Sequence, residues 1–573
     1  MRVNNAEIAR LFERVADLLE IEDANPFRVR AYRNAARTIR GYSLSMVELL
    51  KQGKDLSELR HIGDDLAEKI QEIVETGDLP ILREIEAHTP ASLGDLLNVP
   101  GLGPKRVKAL YQQLDICSIE DLRRAVYSGK IYTVKGFGEA TVRSIINRLD
   151  RSRPVQRRTK WLDAEKTARP LLRYLNKCKG VKKVTMAGSF RRCKETVRDL
   201  DILVSAKLDT SVMQHLSNYP EVARVISMGE TRSTILLDDG MQVDVRVIAP
   251  ESYGAALMYL TGSKYHNIEL RTYAHNLGFK LNEYGLFRNA KQLAGETEYD
   301  VYSTLGLSYI EPELRENTGE IIAAQTKSLP QLINETDIRG DLHCHTNATD
   351  GHASLKSMVN SARKKGYEYI SINDHSQRLT VAHGLDKARL LQQLKEIDQL
   401  NSELTNFVIL KSIEVDILED GSLDFPDSIL KQLDFTVCAI HHKFNLSEKK
   451  QTQRIIRAMD NPYFNILAHP TGRLINQRAA YNINMREIML AAKQRGCVLE
   501  LNAQPERLDL DDIHCKLAKD LGVKLVISTD AHSQEDLDSM RLGINQARRG
   551  WLEATDVLNT LPLTQLKRQF KRI

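Results

Sequence analysis

The stretch GSFRRCKETVRDLDILV, Gly188 to Val204, ends in an apolar run typical of a buried strand, yet two aspartates open that run. Successive strand side chains point to opposite faces, so Asp199 and Asp201 project from the same face, close to each other. Their repulsion and desolvation are tolerable only if a cation lies between them, or if one carboxyl keeps its proton for acid–base work. Both alternatives indicate a functional site.

The segment STILLDDGMQVDVRVIAP, residues 233–250, favours the cation. Its two alternating apolar runs are joined by DDG, a strong hairpin signal, and the second run carries Asp244. Two acids on one strand beside a third on a hairpin strand predict a two-metal site that stabilises both attacking and leaving oxygens. The preceding GSFRR supplies a hydroxyl and two arginines suited to triphosphate oxygens. A salt-bridge network would explain any one of these features but not their combination.

These segments and YLTGSKYHNIELRTYAHNLGFKLNEYGLF, residues 259–287, resemble the palm and thumb of family X DNA polymerases, the gap-filling repair enzymes related to DNA polymerase beta. The resemblance extends from the N-terminus to about residue 318. It implies that Asp199 and Asp201 hold two Mg²⁺ or Mn²⁺ ions, and that Asp244 completes the catalytic one and helps to activate the primer 3′-OH. The implied nucleotide-binding residues are Gly188, Ser189, Arg192, Tyr259, Gly262, Asn267 and, near the template base, Arg271.

Two departures from DNA polymerase beta limit this transfer. Leu260 replaces an aromatic residue, and Lys264 stands where that enzyme has an acid. Fidelity and sugar selection are therefore not carried over.

The first 150 residues read as short helices with three glycine turns, in LRHIGDDLAEKI, LLNVPGLGPKRVKALY and YTVKGFGEATVRSII. Such turns let the backbone approach a ligand, and the next helix offers free N–H groups to a phosphate. A single Gly-x-Gly also occurs for purely steric reasons, but three copies predict a helix–hairpin–helix DNA-binding module. The candidate DNA contacts are Gly101, Gly103, Lys105, Arg106, Gly136 and Gly138.

Lys69 in LAEKI occupies the position of the lysine that removes a 5′-deoxyribose phosphate in some members of the resembled family. Such a nucleophile needs a lowered pKa, usually from burial or neighbouring cations. Asp64 and Asp65 stand where basic residues are expected and act in the opposite direction. An ordinary surface lysine paired with an acid is the alternative interpretation.

The last 235 residues change to short apolar runs separated by amphipathic helices, the alternation of a parallel β/α barrel. Nearly every run ends in a metal-type side chain, and functional groups of such barrels converge at C-terminal strand ends. Cys344 and His442 are expected to point elsewhere, and Arg473 after HPTG is a candidate phosphate ligand. The nine candidate ligands are His343, His345, Asp350, His375, Glu414, His441, His469, Asp530 and His532.

Nitrogen and oxygen ligands in this number predict three ions of Mn²⁺, Zn²⁺ or Fe²⁺ and the hydrolysis of phosphoesters. The segment resembles the PHP (polymerase and histidinol phosphatase) family with all nine ligand positions present. Together with a family X polymerase it implies a 3′–5′ exonuclease, with 3′-end processing or abasic-site cleavage as further options. The alternative is a DNA-binding scaffold with an inactive palm and a small-molecule phosphatase.

Length and composition set the frame for these predictions. A chain of 573 residues exceeds one core, and its net charge of +5 does not by itself indicate nucleic acid. Seven cysteines without a CxxC pair, no long apolar span and no signal-peptide pattern predict a reduced, cytoplasmic, non-membrane protein, expected to be monomeric. We expect a multidomain α+β and α/β fold: helical domain 1–90, helix–hairpin–helix 91–150, palm 151–262, thumb 263–318, linker 319–338 and barrel 339–573. A basic connector, RSRPVQRRTK, occupies 151–160.

Overall fold

The structure is a computed structural model that describes residues 5–42, 46–86, 88–90, 93–97, 99, 102–139, 141–142, 145, 158–207, 211–289 and 291–570. The chain divides into two compact units, Met1–Gln156 and Arg157–Ile573. Most of the basic connector, residues 151–157, lies outside the described residues. No helix in the described part of the chain is both long and apolar enough to span a membrane.

The first unit is helical because apolar residues recur at helical spacing, for example Ile8, Phe12, Val15 and Leu19, and bury one face. Phe12 and Tyr32 pack edge to face with ring centroids 5.4 Å apart. Gly63 and Gly103 each precede the first residue of a helix. The helices are Asn5–Ile21, Pro26–Gly41, Met46–Lys51, Asp64–Thr76, Pro80–Glu86, Leu93–Leu96, Pro104–Leu114 and Ile119–Tyr127, with 3₁₀ turns at Leu56–Glu58 and Lys130–Thr133.

The palm that opens the second unit is a five-stranded sheet in the order β2-β4-β7-β6-β5. The predicted hairpin is confirmed, since β6 and β7 pair antiparallel, while β4 and β7 pair parallel. The strands of this sheet are β2 (Val181–Met186), β4 (Asp199–Ala206), β5 (Val222–Met228), β6 (Arg232–Leu237) and β7 (Gln242–Ile248). A separate two-stranded sheet pairs β1 (Thr159–Lys160) with β3 (Thr196–Val197). The helices of the palm are Trp161–Asn176, Gly188–Arg191 and Val212–Ser217.

The thumb combines helices Tyr253–Thr261, Lys264–Asn276 and Glu298–Thr304 with an antiparallel sheet, β8 (Lys280–Asn282), β9 (Gly285–Arg288) and β10 (Lys291–Ala294). The predicted linker 319–338 is not an open connector. It contains the helix Glu320–Gln325, and Ile321, Ala324 and Leu332 belong to the thumb core. Glu320 Oε1 also lies 2.7 Å from Nδ1 of the buried His266 ring. Residues 319–338 are therefore packed structure.

A buried ion network joins the thumb to the palm. Glu298 accepts from Arg191 at 2.8 and 2.6 Å and from Arg315 at 2.6 Å. Burial alone would raise the pKa of Glu298, but Arg315 and Arg191 lower it to about 2. A depressed carboxyl pKa stabilises the fold above the unfolded pKa, and this stability is lost as the pH falls through the folded pKa.

We therefore expect the parent protein to lose about 3 kcal/mol of stability through this group as the pH falls from 4.5 towards 2. Glu298→Gln should remove that part of the acid dependence and cost about 3–5 kcal/mol at neutral pH, since it leaves two arginines without their carboxylate. Urea unfolding of the second unit at several pH values measures both effects. The exposed neighbour Glu296 provides the matched control Glu296→Gln, and equal acid sensitivity of the two variants would contradict the assignment.

The C-terminal part is a parallel barrel-like fold. Strands β11 (Gly340–Asp341), β12 (Tyr369–Ile372) and β13 (Val408–Lys411) form one sheet; β14 (Glu414–Asp416), β15 (Val437–Ala439), β16 (Ile466–Leu467), β17 (Val498–Asn502) and β18 (Leu525–Ser528) form the other. The bridges His375↔Glu414 and Cys344↔Ala531 link the two sheets at both seams. The helices are Leu355–Lys364, Lys387–Glu403, Asp427–Leu430, Glu448–Ala458, Met485–Arg495, Asp512–Leu521, Met540–Arg549 and Leu563–Gln569.

Candidate functional site

The palm acids lie on adjacent parallel strands. The register pairs Asp201 of β4 directly with Asp244 of β7, and Asp199 precedes Asp201 by two residues on the same face. Burial, followed by the charges of Asp199 and Asp244, raises the pKa of Asp201 to about 7. A divalent cation bound beside Asp201 would offset the burial and the neighbouring charges that disfavour its ionisation.

Gly188 forms a cradle for Asp201. A Cβ at Gly188 would lie 1.9 Å from Asp201 Oδ2, and the glycine has φ +58°, a left-handed conformation that other residues adopt rarely. The peptide N–H of the preceding Ala187 also donates to the Asp201 carbonyl oxygen at 2.7 Å. The turn before the short helix Gly188–Arg191 therefore fixes where the Asp201 carboxylate lies.

Gly188→Ala should reduce primer extension by about a hundredfold or more, because the new methyl group must displace the Asp201 carboxylate and a one-ångström error costs that much. Gly229→Ala is the matched control, since its Cβ would have only one neighbour, at 3.4 Å, in the same domain. Steady-state extension of a labelled primer measures the effect. Equal activity of the two variants would contradict a positioning role for Gly188.

Asp244 is held by two neighbours that the sequence reasoning missed. Thr234 Oγ1 donates to Asp244 Oδ1 at 2.6 Å, and Gln242 Nε2 donates to Oδ2 at 2.8 Å. Among the described residues, no three ligand atoms of the palm acids lie within 4.8 Å of one another. The strand register brings the carboxylates to one face, and side-chain hydrogen bonds then fix the orientation of Asp244.

A cleft of about 880 Å³ opens beside these acids. It is lined by Asp199 and Asp201 and by every residue predicted to bind the nucleotide, namely Gly188, Ser189, Arg192, Tyr259, Gly262, Asn267 and Arg271. Asn267 donates to the Tyr259 carbonyl at 2.7 Å, which ties the two helices of this wall together. Arg158, Lys194, Arg198 and Lys264 add positive charge to the lining. Its size and charge suit a nucleoside triphosphate.

The two arginines of GSFRR have different environments. Arg191 forms the two-pronged pair with Glu298 and also donates to Thr261 Oγ1 at 2.6 Å, so its guanidinium is used within the protein. Arg192 also makes internal hydrogen bonds, from Nε to Glu316 at 3.0 Å and from Nη1 to the Thr261 carbonyl at 2.5 Å, but unlike Arg191 it lines the cleft. Of the pair, Arg192 is therefore the candidate for triphosphate oxygens.

The barrel brings the predicted metal ligands together. Three groups of ligand atoms each lie within 4.8 Å: His345, Asp350, His375 and His532; His343, His345 and Asp530; and His375, Glu414 and His441. His469, the ninth predicted ligand, has its Nε2 3.0 Å from Glu414 Oε1. His345 Nδ1, His375 Nδ1 and Glu414 Oε2 are buried atoms of this cluster that make no well-aligned hydrogen bond, although His375 Nδ1 lies 2.8 Å from Glu414 Oε2. Such donor atoms fit divalent ions of the first transition row.

The electrostatics of the cluster favour positive charge. Burial opposes protonation, yet Glu414 and Asp350 raise the pKa of His375 to about 10, and Glu414 and Asp416 raise that of His441 to about 9. By contrast, burial and the rings of His532 and His375 lower the pKa of His345 to about 4. Carboxylates that stabilise charged imidazoles would equally stabilise cations bound between neutral ones.

Two carboxylates outside the predicted set orient the histidines. Glu500 Oε1 lies 2.7 Å from His343 Nδ1, and Asp416 Oδ1 lies 2.6 Å from His441 Nδ1. Glu500 also accepts from the His469 backbone N–H at 2.7 Å. Such partners fix the ring and leave Nε2 for a metal. A signal was present in the sequence, since both acids interrupt buried strands, in VLELN and EVD.

Three details differ from or extend the sequence prediction. Glu414 begins β14 and does not end a strand, because β13 stops at Lys411 and the bridge to His375 restarts the pairing. Cys344 is fully buried in an apolar cluster. His442 is 44% exposed, and its Nε2 lies 3.7 Å from Asp416, outside the three ligand groups.

Arg473 does not reach into open solvent as a phosphate ligand would. Its guanidinium donates to Glu195 of the palm at 2.6 Å and to the carbonyls of Arg507 and Leu508. Arg507 is the cation beside the cluster, with Nε 3.8 Å from Asp530 Oδ2. The sequence reasoning missed Arg507 because a loop brings it there from beyond β17.

The N-terminal candidates are partly described. Gly101 lies outside the described residues. Gly103 and Gly138 accept hydrogen bonds from the first turn of the next helix, Gly136 has φ +97°, and Lys105 is exposed beside Arg106. Lys69 pairs with Asp65 one helical turn earlier, and its side chain is 18% exposed. This ion pair favours the alternative in which Lys69 is a structural surface lysine.

Comparison with known proteins agrees with this architecture. Models of a helix–hairpin–helix domain and a SAM-like helix–hairpin–helix tandem match residues 3–79 and 93–151. The DNA polymerase beta thumb model matches 256–316, and the PHP domain model matches 341–504.

Relatives match the chain at two scales. The DNA polymerase/3′-5′ exonuclease PolX of Bacillus subtilis (strain 168) is 37% identical over 574 residues, covering the whole of both chains. A probable phosphatase of Thermoanaerobacter sp. (strain X514) is 31% identical over 38% of this chain and 89% of its own length. A probable phosphatase of Caldicellulosiruptor bescii is 30% identical over 34% of this chain and 81% of its own.

A glycine-turn helical module, an acid-bearing palm with its thumb and a histidine-lined barrel define a nucleotidyltransferase joined to a metal-dependent phosphoesterase. The full-length similarity to the Bacillus subtilis protein narrows this class to one family. The chain belongs to the family X DNA polymerases that carry a PHP domain.

Proposed function

We propose that the protein is a DNA-directed DNA polymerase that fills short gaps during repair and that its PHP barrel removes nucleotides from 3′ ends. The observation that carries the proposal is the convergence of two clusters in one chain: the acid-lined cleft beside Asp199, Asp201 and Asp244, and the imidazole cluster around Glu414. The relative named as a polymerase and 3′–5′ exonuclease supports both halves.

In the palm, the substrates are gapped or primed DNA and deoxynucleoside triphosphates. Arg192 and Ser189 would hold triphosphate oxygens, while Tyr259, Gly262 and Asn267, which also line the cleft, would contact the base and sugar. Asp244, oriented by Thr234 and Gln242, would accept the proton of the primer 3′-OH. Divalent ions, Mg²⁺ or Mn²⁺ held by the three acids, would supply charge neutralisation at the transferring phosphate.

In the barrel, the substrate is a phosphodiester at a DNA 3′ end. The nine predicted ligands would hold up to three ions of Mn²⁺, Zn²⁺ or Fe²⁺, which supply an activated water when bound. Glu500 and Asp416 keep His343 and His441 in position, and Arg507 would contact a non-bridging phosphate oxygen. The proposal places the monomeric protein in the cytoplasm and includes no lyase step at Lys69.

The test uses purified protein, Mn²⁺ and a duplex with a one-nucleotide gap and a labelled primer. We expect one added nucleotide with triphosphates present and shortening of the primer without them. A protein that binds the duplex but neither extends nor shortens it would contradict the proposal. Because several relatives are named probable phosphatases, release of phosphate from histidinol phosphate in preference to DNA cleavage would assign the barrel to small molecules instead.

A further inference from the structure

The helix Met540–Arg549 of the barrel region carries three arginines that reach the palm and thumb. Arg541 forms a two-pronged pair with Glu165 at 3.0 and 2.6 Å, and Arg548 donates to Glu313 at 2.7 Å. Arg549, the last residue of the helix, is only 1% exposed. Of these three arginines, only Arg549 contacts a residue that lines the nucleotide cleft.

Arg549 contacts both the backbone and the charge partner of Arg192. Its Nη1 donates to the Arg192 carbonyl oxygen at 2.7 Å and to Glu316 Oε1 at 3.1 Å. The same Glu316 oxygen accepts from Arg192 Nε at 3.0 Å. The other arm of Arg549 donates to Asp512 at the start of a barrel helix, which anchors the guanidinium on the barrel side.

The Glu316 carboxylate is shared among three cations. Besides Arg192 and Arg549, Lys194 lies 3.5 Å from Glu316 Oε1 and 3.8 Å from Asp512 Oδ2. Burial would raise the pKa of Glu316, but Lys194, Arg549 and Arg192 lower it well below its usual range. The Glu316 carboxylate is therefore ionised. Because Arg549 also pairs with it, the ion pair between Glu316 and Arg192 is weaker than it would be without Arg549.

We propose that Arg549 is a positioning residue of the polymerase site, which acts through the shared Glu316 carboxylate to aim the Arg192 guanidinium at the incoming triphosphate. The inference rests on the proposed polymerase function. The proposed role connects a barrel helix to the nucleotide cleft through Arg192. Without Arg549, the Glu316 charge falls mainly on Arg192, which must then give up a stronger ion pair to bind a phosphate oxygen.

The test compares Arg549→Ala with Arg541→Ala, which breaks a two-pronged palm contact of the same helix without touching the cleft. We expect Arg549→Ala to raise the KM for the nucleotide about tenfold, with kcat changed less than about threefold. Arg541→Ala should leave that KM within about twofold. Arg549→Lys should restore the KM only in part, since one ammonium cannot replace the fork of a guanidinium.

Glu316→Gln and the double variant with Arg549→Ala complete a mutant cycle. If Arg549 acts through Glu316, the double variant has the KM of Glu316→Gln alone. Exonuclease activity within about twofold of the parent confirms that each variant is folded. An unchanged KM in Arg549→Ala, an equal rise in Arg541→Ala, or additive effects in the double variant would each overturn the proposal. Absence of extension by the parent protein would instead refute the polymerase function.

Discussion

We expect Asp201→Asn to lower kcat/KM for primer extension at least about a thousandfold, while exonuclease activity stays within about twofold of the parent. The reason is the position of Asp201: it faces Asp244 across the β4–β7 register, lies against Gly188 and lines the nucleotide cleft. A neutral amide keeps the shape but loses the charge that would bind metal ions. Steady-state extension and 3′-end shortening, measured on the same labelled duplex, test both statements.

The same variant should unfold at an equal or higher temperature than the parent in the absence of divalent ions. In the parent, the pKa of Asp201 is raised to about 7, so the ionised Asp201 carboxylate destabilises the folded state at neutral pH. Asp238→Asn, at the exposed turn of the neighbouring hairpin, is the control and should retain full extension. Normal primer extension by Asp201→Asn would contradict the assignment of polymerase activity to the palm.

The second large effect is expected for Glu414→Gln: 3′-end shortening should fall at least about a thousandfold, and the purified protein should contain less metal than the parent. Glu414 is the centre of the cluster, with its two oxygens 2.8 Å from His375 Nδ1, 3.0 Å from His469 Nε2 and 3.3 Å from His441 Nε2. Gln keeps one acceptor oxygen but no charge to balance cations. Elemental analysis of the purified protein and the exonuclease assay measure the two losses.

The adjacent residues His441 and His442 provide a closely matched pair of variants. His441 belongs to a ligand group and contacts Asp416, whereas His442 is 44% exposed and belongs to none of the groups found among the described residues. His442→Ala should therefore keep its metal and its exonuclease activity, and His441→Ala should lose both. Equal losses in the two variants would contradict the assignment of ligands.

Local patterns predicted the parts of the two sites that depend on strand period and strand ends. Asp199, Asp201 and Asp244 share a face because side chains alternate along β4 and β7, and the hairpin signal DDG placed β7 correctly. The barrel histidines were visible because parallel strands end on one side of a sheet. In both cases, a short stretch of sequence contains the geometric information.

Features that depend on long-range contacts could not be predicted in this way. Arg473 reads as a phosphate ligand from HPTG, but its partner Glu195 comes from a different domain 278 positions away. The helix Glu320–Gln325 reads as part of a polar linker because it is only six residues long and its packing partners are distant in sequence, as with His266, 54 positions before Glu320. The contacts of Arg549 with Glu316 and Arg192 likewise join residues more than 230 positions apart.

The central claim is that one chain holds two separate catalytic cages, one for synthesis and one for hydrolysis. It is tested most directly by giving Asp201→Asn and Glu414→Gln the same recessed duplex, labelled at the 5′ end of the primer strand, in Mn²⁺, with and without triphosphates. The account predicts that the first variant only shortens the labelled strand and that the second only lengthens it. Loss of both reactions in either folded variant would show a single shared site and contradict the account.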